Sequence, residues 1–301
     1  MCIAMTIKIK TKFTKLTGVE YPLIMGAFAG LGKAEFAAPF SEAGGLGIIT
    51  AHNFRNVKKF KQELEKMQSL TSKPFGVNFS VAPPIDRFAR MMKEEDYMPY
   101  VEAAIDFGVK TMTTSAYKAK KIGERLHESG CIWIHKCATL MHAKSAENHG
   151  ADFVVIVGLE GTGFKNPLQN TTLINITVAK EILKIPVIAA GGIANARGFL
   201  AALMMGASAV CLGTALMATT ECPLSEKFKI EKLVNMNGYD DEDFYKKIYH
   251  LSLKDSPVPS MAISLIHEIL SIKKLISKII SESENILKSW NITKSELYIN
   301  Q

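Results

Sequence analysis

The sequence predicts an α/β fold, a (β/α)8 TIM barrel with a C-terminal helical extension. Three observations predict it. First, Ala189-Ala190-Gly191-Gly192-Ile193 ends one short apolar run and Leu212-Gly213-Thr214 ends the next. Glycine at such tips lets the backbone approach a ligand closely and offers bare N–H groups to it. Two such tips on neighbouring parallel strands make a phosphate cradle, which in these barrels follows strands seven and eight. Second, short apolar or β-prone runs alternate with helical patterns, and their apolarity on both faces marks a parallel sheet. Third, Gly-Ala-Asp at 150–152 and Gly-Ala-Ser at 206–208 each precede a strand, as a βα repeat does.

Taken in order, the predicted strands are Tyr21–Ala27, Gly45–Thr50, Phe75–Phe79, Val109–Thr114, Cys131–His135, Phe153–Val157, Pro186–Ala190 and Ala209–Leu212. The helices between them are Lys33–Glu42, Val57–Met67, Tyr97–Asp106, Lys118–Glu128, Leu140–His149, Leu173–Leu183 and Ala196–Met205. Eight repeats favour closure into a barrel over an open sheet. A barrel of this kind needs roughly 250 residues. Here it occupies residues 1–220, and residues 221–301 form a helical segment that packs on it and contributes a lid. In that segment Met261 to Ser281 places Leu265, Ile269, Ile272, Ile276 and Ile279 on one helical face. His267, Glu268, Lys273, Lys274 and Lys278 interrupt the apolar runs, so this is no membrane span. Such a basic amphipathic helix docks on the barrel more readily than on a membrane surface.

Composition narrows the function. The chain has 301 residues, 48% of them hydrophobic, enough for one large core. Its net charge of +7 favours anionic ligands. The lysines are scattered and no nucleic-acid recognition motif accompanies them. Met1 to Lys15 lacks the apolar core of a signal peptide. The five cysteines are odd in number and form no CxxC pair, which points to a reducing, cytoplasmic setting and away from a cysteine metal site. Cys131 and Cys211 read as small buried hydrophobes.

Active sites of such barrels lie at the C-terminal ends of the strands. Those tips carry no pair of carboxylates, which argues against a glycosidase. They carry no metal-ligand set either. What they offer is a glycine-lined mouth with amide, hydroxyl and ammonium donors, suited to a large planar phosphorylated cofactor. His135 lies one residue off its tip and points between barrel and helices, and His142 and His149 read as surface or packing residues.

Several stretches together resemble the FMN-dependent nitronate monooxygenase (2-nitropropane dioxygenase-like) family, which includes flavin-dependent enoyl-acyl-carrier-protein reductases. They are Tyr21-Pro22-Leu23-Ile24-Met25-Gly26, Ser41-Glu42-Ala43-Gly44-Gly45-Leu46-Gly47, Phe75-Gly76-Val77-Asn78-Phe79, Gly150-Ala151-Asp152 with Glu160-Gly161, Ile188 to Ile193, Ala201 to Ala207 and Leu212-Gly213-Thr214. Pro259-Ser260-Met261-Ala262 resembles the family's late loop near the flavin. The resemblance implies FMN as cofactor, with NAD(P)H as an electron donor. It implies that Gly26, Ala27 and Phe28 lie against the isoalloxazine ring and that Asn78 bonds the flavin edge. Lys136, on the fifth strand, would reach the N1/C2=O side and stabilise negative charge on the reduced flavin. Gly158, Glu160, Gly161, Gly191, Gly192, Gly213 and Thr214 would hold the ribityl and phosphate groups. Phe164, Ser260 and Met261 would line the substrate pocket.

One departure matters. The family pattern after strand six is Glu-Ala-Gly-Gly-His, and that histidine is the catalytic base of nitronate monooxygenases. Here the stretch reads Glu160-Gly161-Thr162-Gly163-Phe164-Lys165. A phenyl ring at Phe164 takes no proton. Lys165 can bind an anionic substrate group or serve as an acid, so Lys136 and Lys165 are the candidate catalytic residues. The expected activity is oxidation of alkyl nitronates or a related small substrate with O2. An NAD(P)H-dependent reduction of enoyl thioesters or quinones is the alternative. Two further readings stay open: a flavin-free Schiff-base aldolase or decarboxylase using Lys136, and a non-catalytic flavin- or acyl-thioester-binding protein. The substrate is thus a small molecule or an acyl thioester. A homo-oligomeric assembly stays open.

Overall fold

A computed structural model describes residues 8–81, 92–162, 168, 170–234, 260–292 and 296–299. Phe164, Lys165 and much of the 221–301 segment lie outside the described residues. The described residues begin with strand β1 (Lys8–Lys10) and helix α1 (Lys12–Thr17). The barrel strands follow as β2 (Leu23–Met25), β3 (Gly47–Thr50), β4 (Phe75–Ser80), β5 (Thr111–Ser115), β6 (Ile132–Cys137), β7 (Phe153–Val157), β8 (Val187–Ala190) and β9 (Ala209–Leu212). The helices between them are α2 (Ala34–Glu42), α3 (Val57–Leu70), α4 (Glu94–Asp106), α5 (Lys120–Glu128), α6 (Leu140–Asn148), α7 (Thr172–Ile182) and α8 (Ala196–Met204). After β9 come α9 (Thr214–Met217), α10 (Glu226–Lys232), a 3-10 turn (Met261–Leu265), α11 (Ile272–Ser289) and β10 (Glu296–Tyr298).

All eight barrel strands are parallel, in the order β2-β9-β8-β7-β6-β5-β4-β3. The seam closes where Ile24 bridges Leu46, with Met25 N–H donating to Leu46 O at 3.0 Å and Leu46 N–H to Leu23 O at 2.9 Å. The fold is therefore the (β/α)8 barrel expected from the alternating runs. Several helices start at side-chain caps: Asn56, Thr139, Thr171 and Asn195 each accept a backbone N–H from the first turn.

Short pieces outside the repeat close the barrel. Helix α1 is capped by Thr11 and ends at Gly18, in the left-handed region at φ +75. It carries Phe13, fully buried, edge-on against Phe153 of β7 at 5.7 Å. This plugs the N-terminal end of the barrel. β1 pairs in parallel with β10, joining the two ends of the chain.

The C-terminal stretch departs from the single helical face expected over Met261 to Ser281. Thr220 N–H donates to Leu270 O at 2.9 Å and Thr219 bridges Leu270, which holds the chain extended there. Ser271 then caps α11 by accepting the Lys274 N–H at 3.2 Å. Leu265 falls on the preceding turn and is 40% exposed, while Ile272, Ile276, Ile279, Ile280 and Leu287 are buried. Helix α11 packs against α8 and α2, the place in the outer ring that follows β9. No helix among the described residues is long and apolar enough to cross a membrane.

Candidate active site at the mouth of the barrel

Alternation along the strands decides which side chains face the barrel interior. Phe79 packs on Tyr97 of α4 at 5.4 Å, and the Trp133 ring lies where a Cβ on Gly123 of α5 would be. These residues therefore face the helices. Thr114 and His135 share that outward face, as the sequence predicted for His135. Thr114 Oγ1 accepts the Trp133 indole N–H at 2.7 Å and shares a second hydrogen bond with His135 Nδ1 at 2.6 Å. Burial, with a smaller push from His142, lowers the His135 pKa to about 4.

The residues between these point inward. Near the C-terminal ends they are Thr50, Asn78, Ser80, Thr113, Ser115 and Lys136 on one side. Val155, Val157, Ala190, Cys211 and Gly26 face them. On the polar side Thr113 donates to Asn78 Oδ1 and Asn78 Nδ2 donates to Ser80 Oγ, both at 2.9 Å. Half of the Asn78 amide is thus engaged inside the barrel. Lys136 has no hydrogen-bond acceptor among the described residues. Burial pushes its ammonium pKa down, and Cys211 acts in the opposite direction. The Cys211 thiol is pushed up to about 11 by burial. Cys211, read from the sequence as a small buried hydrophobe, is half-buried, and the β8–β9 register turns it into the barrel interior.

The glycine tips stand on the apolar side. Glu160 accepts the Thr172 N–H at 2.8 Å and its hydroxyl at 2.9 Å. Gly158 sits beneath this knot, where a Cβ would land on the Thr172 backbone N and hydroxyl. Gly161 is excluded from carrying a side chain by Val157. Gly191 and Gly192 adopt φ of +106 and +72, a region open to glycine at little cost. Ala190 pairs with Cys211 where β8 and β9 end side by side, so the turn through Gly191 and Gly192 and the turn at Gly213 leave neighbouring strands. A Cβ on Gly192 would approach the Glu160 side chain. Among the described residues no acceptor faces the N–H of Gly192 or Gly213. A Cβ on Gly213 would meet nothing within 4 Å. Thr214, one residue on, accepts the Ser260 N–H at 2.9 Å, and Met261 N–H donates to Glu160 O at 3.1 Å. Ser260 and Met261 are thereby tied to both tips.

The loop after β2 completes the rim. Gly26 N–H donates to Leu212 O at 2.9 Å, and Phe28 N–H donates to Thr50 Oγ1 at 3.1 Å. Asn53 braces the loop by donating to Phe28 O and Gly32 O at 3.2 and 3.1 Å. Ala27 lies between these anchors. Beside Asn53 stands a residue that sequence reasoning missed, His52, whose Nδ1 is buried without a partner. Asn175 Oδ1 and Ser264 Oγ are the other such atoms among the described residues. All three belong to segments on the strand-tip side: the turn after β3, the first turn of α7 and the 3-10 turn tied to Glu160. A lone histidine in a short turn carries no periodic signal that would have singled it out.

Fold and site together define a (β/α)8 barrel whose mouth, among the described residues, carries backbone N–H donors without acceptors on one side and the inward-facing Lys136 ammonium on the other. The chain belongs to the nitronate monooxygenase family, whose model matches residues 10–244. It is 30% identical over 252 residues to a probable nitronate monooxygenase of Staphylococcus haemolyticus, covering 72% of this chain and 70% of that one. It is 29% identical over 225 residues to a hydroxy-methyl-oxo-octahydroindene carboxyl-CoA dehydrogenase of Mycobacterium tuberculosis, covering 74% of this chain. The match spans only 59% of that dehydrogenase and 64% of its Rhodococcus jostii counterpart. Among solved structures, a FabK variant from Thermotoga maritima superposes with a TM-score of 0.78 at 29% identity, covering 94% of this chain and 99% of that one.

Proposed function

We propose that the protein is an FMN-dependent oxidoreductase acting on alkyl nitronates or a related small substrate with O2. The observation that carries this reading is the pairing of the Gly192 and Gly213 tips with inward-facing Lys136. The residues fit the cofactor on three counts. The N–H groups of Gly192 and Gly213 have no acceptor among the described residues, Gly213 borders open space, and Lys136 lacks an acceptor. FMN when bound supplies the two-electron redox chemistry. In this reading Gly191, Gly192, Gly213 and Thr214 hold the phosphate, and Gly158, Glu160 and Gly161 shape the ribityl channel. Gly26, Ala27 and Phe28 cover the ring, and Asn78 turns its remaining amide proton to the ring edge.

Lys136 has the chemistry for charge stabilisation. Its ammonium is destabilised by burial and regains stability when negative charge gathers beside it. Phe164 takes no proton, so the substrate arrives already ionised, and Lys165 neutralises that charge. Ser260 and Met261 bound the substrate space. The site works as a small-molecule enzyme site in the cytoplasm, in one chain or in a homo-oligomer.

A second reading has its own support in the matches to two carboxyl-CoA dehydrogenases. It makes the substrate an acyl thioester, with NAD(P)H as electron donor. Rapid mixing of the flavin-loaded protein with preformed nitronate, and separately with NAD(P)H and then an enoyl-CoA, tests both. Bleaching and recovery with nitronate and O2 upholds the first reading, and turnover only with NAD(P)H and the thioester replaces it by the second. Absence of turnover with either leaves a non-catalytic binding protein.

A further inference from the structure

The polar half of the barrel interior holds a hydroxyl proton with no acceptor. Thr113 donates to Asn78 Oδ1 and Asn78 Nδ2 donates to Ser80 Oγ. Ser80 Oγ and Ser115 Oγ then share one hydrogen bond of 3.1 Å. Two hydroxyl protons and one mutual bond leave one proton unspent, whichever serine donates. Neither oxygen has a further acceptor among the described residues. Continuing the β5–β6 register past Thr114 and His135 places Ser115 beside Lys136, which also lacks an acceptor. Just past Ser115 the chain turns through Ala116 at φ +77, a conformation that costs a non-glycine residue strain. There a cavity of about 20 Å³ opens, lined by Ala116, Lys136, Cys137 and Ala138. With Ser80 as the donor of the pair, the unspent proton is that of Ser115, and an ammonium and a hydroxyl side by side at an opening suit an acceptor atom that carries negative charge.

We propose that the Ser80–Ser115 hydroxyl pair, oriented by Thr113 and Asn78, acts with Lys136 as a two-donor site for the electron-rich pyrimidine edge of the flavin. This rests on the FMN reading above. The feature that distinguishes it is the shared proton, which makes the two serines one unit. Loss of Ser115 removes the hydroxyl nearest Lys136. Loss of Ser80 leaves Ser115 in place but removes the partner that orients it.

The test is FMN titration of the apoprotein together with the midpoint potential of the loaded protein. Ser115→Ala is expected to weaken FMN binding about tenfold and to make the potential more negative. Ser80→Ala is expected to move both quantities the same way by less. The double variant should lose less than the two single losses combined, because one donor is shared. Ser115→Thr, which keeps the hydroxyl, should restore binding. If Ser115→Ala fails to fold, Ser80→Ala carries the test. Wild-type affinity and potential in these variants, with at most a drop in thermal stability, overturns the proposal and leaves the FMN reading standing. A wild-type apoprotein that binds no FMN overturns both.

Discussion

The Glu160 carboxylate accepts both the N–H and the hydroxyl of Thr172, at 2.8 and 2.9 Å, and so bolts the turn after β7 to the start of α7. Thr172 is the first residue of that helix, where N–H groups lack intrahelical partners and negative charge is favoured. Glu160 thus shapes the glycine turn whether or not it also meets the cofactor. Glu160→Ala is expected to cost about 2 kcal/mol of unfolding free energy, the usual scale for a hydrogen bond to a charged group. Glu160→Gln should cost less than half of that. Urea denaturation measures both, and wild-type stability in the alanine variant would contradict the bolt.

The charge on Lys136 sets a redox prediction. One unit charge a few ångströms from the ring contributes roughly 2–4 kcal/mol at an effective dielectric near 20. For a two-electron couple that is about 40–90 mV. Lys136→Met should lower the flavin potential toward the smaller end of that range, because water enters the vacated space. An unchanged potential in the folded, loaded variant would move Lys136 away from the ring.

His135 makes stability depend on pH. Its folded pKa of about 4 lies below the ordinary value of 6.5, so between those two pH values the unfolded chain binds the extra proton. The contribution is complete above about pH 6.5 and is lost as pH falls toward 4. The depression of about 2.5 units corresponds to about 3 kcal/mol in all. Most of that should disappear between pH 7 and pH 4.5 in urea titrations. His135→Gln should flatten this part of the pH profile, and a profile identical to wild type would assign the acid sensitivity to other groups.

Much of this was legible in the chain. Runs apolar on both faces marked the buried parallel strands, and the glycines that end them marked the mouth. Two kinds of feature were not legible. Inward and outward alternation becomes chemistry only once registers are known. Asn78 therefore read as a flavin ligand without its partners Thr113 and Ser80, and Cys211 read as a small buried hydrophobe with no sign that it shares the barrel interior with Lys136. Short pieces whose conformation is set by tertiary contact also escaped. The six-residue helix carrying Phe13 is too short for a periodic signal, and the start of α11 is set by Thr219 and Thr220 holding Leu270.

Phe164 in the family's histidine position predicts a preference among substrates. Preformed alkyl nitronate should be oxidised readily, and the neutral nitroalkane should react weakly, improving as pH rises and ionises it in solution. Initial rates of O2 uptake with each form at neutral pH measure this. Equal rates would mean that another residue supplies the base.

The FMN content of the purified protein tests the central claim most directly. The wild-type chain should carry, or take up when FMN is added, one FMN per chain with the two visible absorption bands of an oxidised flavin. Gly213→Asp should empty the site without unfolding the protein. A Cβ at that position meets nothing within 4 Å, so the new carboxylate enters open space and repels the phosphate through charge alone. Full flavin content in a folded Gly213→Asp variant, or a folded wild-type protein that binds no FMN, would contradict the account.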